Sequence, residues 1–418
     1  MTLVPSRERR RVAFAATAAL LLLGALAAAP AAAVVGPQRA SAACTGALSY
    51  RSAASATAAA QTRHVVTADL DGDGVLDVVA ANLDADSATV LLGNGDGTFA
   101  TGTTYAVGTR PYQSVVADFD GDGSPDLALA DFGGAQVSVL LNEGDGTFGA
   151  ASAIDVGASP RALATGDLDG DGSPDLVVVE QGPSTVRVLL GRGDGTFDDR
   201  GQTATGSQPH GVVVGDFDGD GSPDVATASV GRAGVSVLLG DGTGALGAST
   251  AYPATSRLYS LAEGDFDGDG ALDLATVSNG TTALDVLLGD GDGTFGAATT
   301  YAVSALPVAV GAADLDGDGF DDLMVSSLRG DSVTLLRGAT GGRLTELTEL
   351  SATGAYDATA ADLDGDGIRD LVVANSTGGR VDVFKGACRG TSRRHHEPGP
   401  GALGQGLPPA LPLPAAAC

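Results

Sequence analysis

At 418 residues with 52 acidic against 23 basic side chains, the chain carries a formal charge of −29, which repels nucleic-acid phosphates and anionic lipid. Its one lysine, Lys385, excludes lysine-dependent phosphate loops, kinase sites and Schiff-base chemistry. Hydrophobic residues at 43% exclude global disorder, and 63 glycines point to repetition over two ordinary domains.

The N-terminus has the order of a secretory signal: Arg7, Arg9, Arg10 and Arg11, an apolar run from Val12 to Ala29, then small residues to Ala43. Residues 1–43 are therefore expected to direct export and be removed, leaving no membrane span in the mature chain. An uncleaved anchor is the alternative, since the run is about 18 residues long. A secreted, extracellular chain meets oxidising conditions and calcium at about millimolar concentration.

From there one acidic phrase recurs seven times, as in ADLDGDGVLD and ADFDGDGSPD. Its first aspartates are Asp69, Asp118, Asp167, Asp216, Asp265, Asp314 and Asp362, spaced by 49 residues five times and then 48. A second phrase of the form LLxxGDGTF follows, ending at Phe99, Phe148, Phe197 and Phe295, with worn copies ending at Leu246 and Leu344. Between them run short alternating segments rich in Val, Leu and Thr, broken by Gly, Asp and Asn, which is the pattern of strands and turns. In the first unit strands are expected near His64 to Leu70, Leu76 to Asn82, Ala88 to Leu92 and Thr98 to Val107. Four strands in about 49 residues is the size of a propeller blade. The expected fold is all-β: a seven-bladed β-propeller of four-stranded antiparallel blades.

The seventh unit ends after its third strand, and the missing strand lies at the front. Tyr50 stands 19 residues before Asp69, as Phe99 stands 19 before Asp118. Residues from about Leu48 to Ala58 can therefore close the ring as the outer strand of the last blade, which removes exposed strand edges. In the same alignment Cys44 and Cys388 fall in one hairpin turn, so a disulfide between them would restore the link where the chain is cut; two unrelated structural cysteines are the alternative. The propeller is expected to span 44–388. The Pro- and Gly-rich tail at 389–418, with Cys418, has no core-forming pattern and is expected to be disordered.

Each acidic loop offers carboxylates at positions one, three, five and nine, glycines at four and six, and a carbonyl at seven. Hard oxygen donors in that number suit calcium. The ligand sets are Asp69, Asp71, Asp73, Asp77 with Val75; Asp118, Asp120, Asp122, Asp126 with Ser124; Asp167, Asp169, Asp171, Asp175 with Ser173; and Asp216, Asp218, Asp220, Asp224 with Ser222. They continue as Asp265, Asp267, Asp269, Asp273 with Ala271; Asp314, Asp316, Asp318, Asp322 with Phe320; and Asp362, Asp364, Asp366, Asp370 with Ile368. Strands in place of helices, and the lack of a glutamate at position twelve, argue against an EF-hand. Solvated Asp-Gly turns without metal are the alternative, but 28 aspartates retained at 28 positions favour about seven structural calcium ions.

These units resemble FG-GAP or VCBS-type repeats, the calcium-bearing blades of integrin alpha-chain heads and of secreted bacterial proteins, over about Cys44 to Cys388. The resemblance implies a propeller, calcium in the loops joining the first two strands of each blade, and an extracellular setting. It supplies no ligand, because such proteins serve adhesion, lectin binding and accessory roles.

Opposite the acidic loops, six residues before each first aspartate, stand Arg63, Tyr112, Arg161, His210, Tyr259, Val308 and Tyr356. Six of the seven are basic or aromatic, so a ring round the channel mouth is expected to bind a glycan or an extracellular protein; side chains that merely plug the channel are the alternative. Arg192-Gly193-Asp194 belongs to the turn phrase, and Arg329-Gly330-Asp331 sits where turn chemistry explains it as well as adhesion does. With no serine elbow, zinc helix or nucleophile recognisable beside His64 or His210, the expectation is a monomeric binding module and not an enzyme. A polysaccharide-active enzyme, with catalytic residues spread over several blades, or a bare scaffold are the alternatives.

Overall fold

The structure, a computed structural model, describes residues 43–44, 47–231 and 234–389. They form seven four-stranded antiparallel sheets. Each sheet is one blade, and its innermost strand packs against the innermost strands of both neighbours, those of blades one and seven included, so the ring is closed. In blade one the strands are Thr62–Ala68, Asp77–Asn82, Ser87–Leu91 and Thr103–Ala106. The six further inner strands begin at Pro111, Pro160, Pro209, Leu258, Pro307 and Ala355. Proline is tolerated there because the first residue of a strand need not donate to the ladder.

Second strands such as Asp77–Asn82 and Asp126–Asp131 are buried along their whole length, because a neighbouring blade covers each face. The core is accordingly a set of layers between blades. The layer between blades one and two, for example, joins Leu70, Val79 and Val90 to Val116, Leu127 and Leu140. Aromatic residues of the two repeated phrases meet across the same seams, as where Phe119 of the second loop stands edge-on to Phe197 at 5.5 Å.

The outer strand of blade one is shorter than the Thr98 to Val107 expected. Gly95 and Gly97 take left-handed φ values of 73° and 76°, so the phrase before Phe99 is a tight turn held by one bridge from Phe99 to Gly93. Pairing resumes only at Thr103.

Closure follows the expectation. Ala47–Thr57 pairs antiparallel with Arg380–Arg389 and completes blade seven. Cys44 and Cys388 are joined by a disulfide with Cα atoms 5.5 Å apart, across 344 residues of chain. The expected leader up to residue 42, and the tail from residue 390 with Cys418, lie outside the described residues. Among the described residues no helix is long and apolar enough to cross a membrane.

Candidate metal loops and channel mouth

All seven acidic loops wind in the same way. The position-one aspartate accepts the N–H of the glycine at position six, from Gly74 to Asp69 at 2.9 Å in loop one and from Gly319 to Asp314 at 3.2 Å in loop six. The position-five aspartate accepts the N–H of residue seven: Val75, Ser124, Ser173, Ser222, Ala271, Phe320 and Ile368 donate at 2.7–3.1 Å. Gly72 and Gly74 have φ of 72° and 85°, a backbone that side-chain-bearing residues adopt only at a cost. The winding turns the carboxylates toward one another. Oxygens of Asp69, Asp71 and Asp77 lie within 4.8 Å, as do those of Asp118, Asp120 and Asp122, and five further such groups occur among the described residues.

The aspartate at position nine has a second job that its place in the motif does not reveal. Asp175 is fully buried and accepts the N–H of Leu168 at 2.7 Å and of Gly191 at 2.8 Å. Asp77, Asp126, Asp224, Asp273, Asp322 and Asp370 repeat that pair of bonds. Each one staples its loop to the start of the following hairpin turn. Burial, aided by the neighbouring aspartates and opposed by these backbone bonds, pushes the carboxyls up, to about 6 for Asp77 and about 7 for Asp175 and Asp370.

The donor set fits a hard divalent cation: several carboxylates converge, and Asp69 Oδ1 is buried with no hydrogen-bond partner. Calcium would be held by the position-one and position-three carboxylates together with that at position five or nine, where it would supply the positive charge that three crowded acids lack. Two loops already contain a cation. Arg337 pairs with the buried Asp316 of loop six, and Lys385 pairs with Asp364 of loop seven at 2.7 Å.

At the opposite end of the inner strands every blade carries the same irregularity. The residue eight before the first aspartate is left-handed: Gln61, Arg110, Ser159, Gln208, Arg257, Leu306 and Gly354 have φ of 53–71°. Directly after it each inner strand slips register against the second strand, as between Thr62 and His64 or Pro209 and Gly211. The extra residue of each bulge is the ring residue, and bulges re-aim side chains. Arg63, Tyr112, Arg161, His210, Tyr259, Val308 and Tyr356 together line one cavity of about 110 Å³.

The ring side chains also lie on one another. The Arg161 guanidinium carbon is 3.3 Å from the centroid of the Tyr112 ring, that of Arg63 is 4.2 Å from Tyr356, and the rings of His210 and Tyr259 are 4.3 Å apart. The hydroxyls of Tyr112 and Tyr356 are hydrogen-bonded, and burial holds the Tyr356 phenol well above the usual tyrosine range. Burial, then the charge of Arg161, pushes His210 down to about 3, so its imidazole is neutral.

His64 has a nucleophile-type neighbour after all. Its Nδ1 is 3.1 Å from Ser114 Oγ, and its Nε2 is 3.6 Å from Asp357. The contact joins three blades and could not be seen in a single repeat. Ser114 is only 1% exposed, and Asp357 also accepts the N–H of Val65 at 3.1 Å, so the trio clasps blades seven, one and two. In the Arg192-Gly193-Asp194 turn, Asp194 accepts the N–H of Thr196 and Arg192 pairs with Asp198. Asp331 accepts the N–H of Gly354 at 2.8 Å, as Asp86 accepts that of Arg110, so both tripeptides perform turn chemistry.

Fold and loops define a closed propeller built from one acid-loop repeat. A family model described as FG-GAP-like repeat matches residues 69–129, 118–178, 167–227, 219–276, 265–325 and 314–373. The chain belongs to the FG-GAP-like repeat family. Each match runs from one acidic loop into the next blade, so a seventh would have to cross the ring closure. No curated protein matches the sequence. Among solved structures, BBS1N in complex with ARL6DN aligns with a TM-score of 0.58 at 14% identity, over 80% of this chain and 96% of that one. A lectin of Agrocybe aegerita, described as recognising non-reducing terminal N-acetylglucosamine, gives 0.52 at 24%, over 78% and 85%. Virginiamycin B lyase of Staphylococcus aureus gives 0.56 at 10%, over 81% and 99%. At these identities the likeness is one of fold, shared by binding proteins and enzymes alike.

Proposed function

We propose that the chain is a secreted, calcium-stabilised propeller that works as a binding module, holding a glycan or an extracellular protein at the channel mouth through Arg63, Tyr112, Arg161, His210, Tyr259 and Tyr356. The leader-like N-terminus, the Cys44–Cys388 disulfide and the acidic loops agree with an oxidising, calcium-rich setting. The observation that carries the reading is the bulge in every inner strand, which brings the seven variable side chains to one cavity while the rest of the repeat stays constant. The fold relatives that bind a glycan or a protein partner agree with it in kind.

The test is a screen of the calcium-loaded protein against glycan and peptide arrays, with Tyr112→Ala and Tyr259→Ala beside the wild type. Binding that both substitutions abolish, without loss of folding, supports the reading. Binding that neither affects places the ligand elsewhere and refutes it.

A further inference from the structure

The mouth holds three buried donors without partners. Arg161 is 7% exposed and its Nε is buried without a hydrogen-bond partner; among the described residues it has no ion pair and is held only by stacking over Tyr112, Phe132 and Tyr259. Arg63 gives one N–H to Gln61 at 2.7 Å, but its buried Nε is likewise unpaired. Gln181 donates to His210 Nε2 at 2.5 Å, which leaves the proton of the neutral ring on Nδ1, again buried and without a partner. The one carboxylate in the cavity wall, Asp357, accepts the N–H of Val65 through Oδ2, which also lies 3.6 Å from His64 Nε2. Buried polar groups are normally satisfied, and unpaired guanidinium groups are costly, so three orphan donors on different blades around one cavity describe half of a binding site.

The geometry points to a carboxylate as the missing half. Building on the channel mouth as the binding site, we infer that it accepts the side-chain carboxylate of an aspartate or glutamate in a partner protein's acidic peptide segment, bonded by Arg161, Arg63 and His210. A planar anion with two oxygens matches guanidinium donors. Aromatic faces that a pyranose would stack on are already covered, Tyr112 by Arg161 and Tyr356 by Arg63. A cavity of about 110 Å³ has room for an acidic side chain. The acidic loops do not repel it: seven residues of strand at about 3.3 Å each separate the two faces by roughly 20 Å, beyond the screening length of about 8 Å at physiological salt.

The experiment uses the calcium-loaded full chain and isothermal titration with the blocked peptides acetyl-Gly-Asp-Gly-amide and acetyl-Gly-Asn-Gly-amide, with glucuronic acid and glucose as saccharide probes. The Asp peptide is expected to bind at least tenfold more tightly than the Asn peptide. Arg161→Met is expected to remove that preference while the melting temperature holds or rises, because the variant discards a buried charge that lacks a partner; Arg63→Gln is expected to weaken binding without unfolding. Preference for glucuronic acid over the Asp peptide would overturn the peptide assignment. Binding of glucose alone, lost in Tyr112→Ala, would overturn the carboxylate but keep the mouth as the binding site. No binding of any probe, with Arg161→Met less stable than the wild type, would show that the ring is a structural plug and end both readings.

Discussion

Replacing the position-nine aspartate of one loop by alanine separates its stapling role from its role toward metal. Asp175→Ala takes the acceptors from two buried N–H groups, those of Leu168 and Gly191. Each buried donor left unpaired costs about 1–3 kcal/mol. Part of this is offset by removing a carboxyl that burial and the nearby Asp169 and Asp167 make reluctant to ionise, so the expected net loss is about 2–4 kcal/mol. In a domain of this size that lowers the melting temperature by roughly 3–6 °C. Melting is followed by circular dichroism in a calcium chelator, where metal contributes to neither protein. Asp194→Ala, which removes an exposed turn carboxylate bonded to Thr196, is the control and is expected to cost less than about 1 kcal/mol. Asp175→Asn, which keeps one acceptor, should fall between them. Equal melting temperatures for Asp175→Ala and Asp194→Ala in chelator would refute the staple.

The same carboxyls set a pH dependence: their folded pKa values of about 6 for Asp77 and about 7 for Asp175, Asp273, Asp322 and Asp370 exceed the unfolded value near 4. The folded state binds the extra protons, so the stability these carboxyls contribute without calcium is fully present below about pH 4 and is lost as pH rises to about 7; denaturant melts in chelator that gain stability across this interval would contradict the sign. Cys44→Ser with Cys388→Ser is expected to cost about 2–5 kcal/mol, and hydrogen exchange should show Ala47–Thr57 losing protection before any other strand; unchanged protection there would contradict the closure. Because Lys385 neutralises Asp364 and Arg337 neutralises Asp316, loops six and seven should fill last in a calcium titration read by native mass spectrometry. Lys385→Met should then tighten loop seven by about tenfold; seven equivalent sites in the wild type would contradict this.

Much of the architecture was legible because the aspartates recur in fixed register. A step of 49 residues sets the blade size, and the count back from Asp69 to Tyr50 locates the closing strand and pairs Cys44 with Cys388. What was not legible depends on neighbours in space. The bulge at Arg63 is a slip against Asn82 and Ala81 of the second strand, and no property of Arg63 itself announces it. The shortened outer strand follows from Gly95 and Gly97 leaving the sheet. The staple formed by Asp77 requires knowing that Gly93 returns beside the loop, 16 residues later. His64, Ser114 and Asp357 come from three blades, and only ring closure brings blade seven next to blade one. The ring positions were found by alignment, but the stacking of Arg161 on Tyr112 joins adjacent blades across the cavity and is a product of packing.

Calcium in the acidic loops is proposed to hold the propeller together. Thermal unfolding of the chain from Ala43 onward, with millimolar calcium and then with chelator, combined with native mass spectrometry, tests it directly. Extracellular-type sites of about 10⁻⁴ to 10⁻³ M each contribute about 1 kcal/mol at millimolar calcium. The expected result is the loss of about seven ions together with a fall in melting temperature of roughly 10 °C. Absence of bound ions, with identical melting in calcium and in chelator, would mean that the aspartate loops are hydrogen-bonded turns and nothing more.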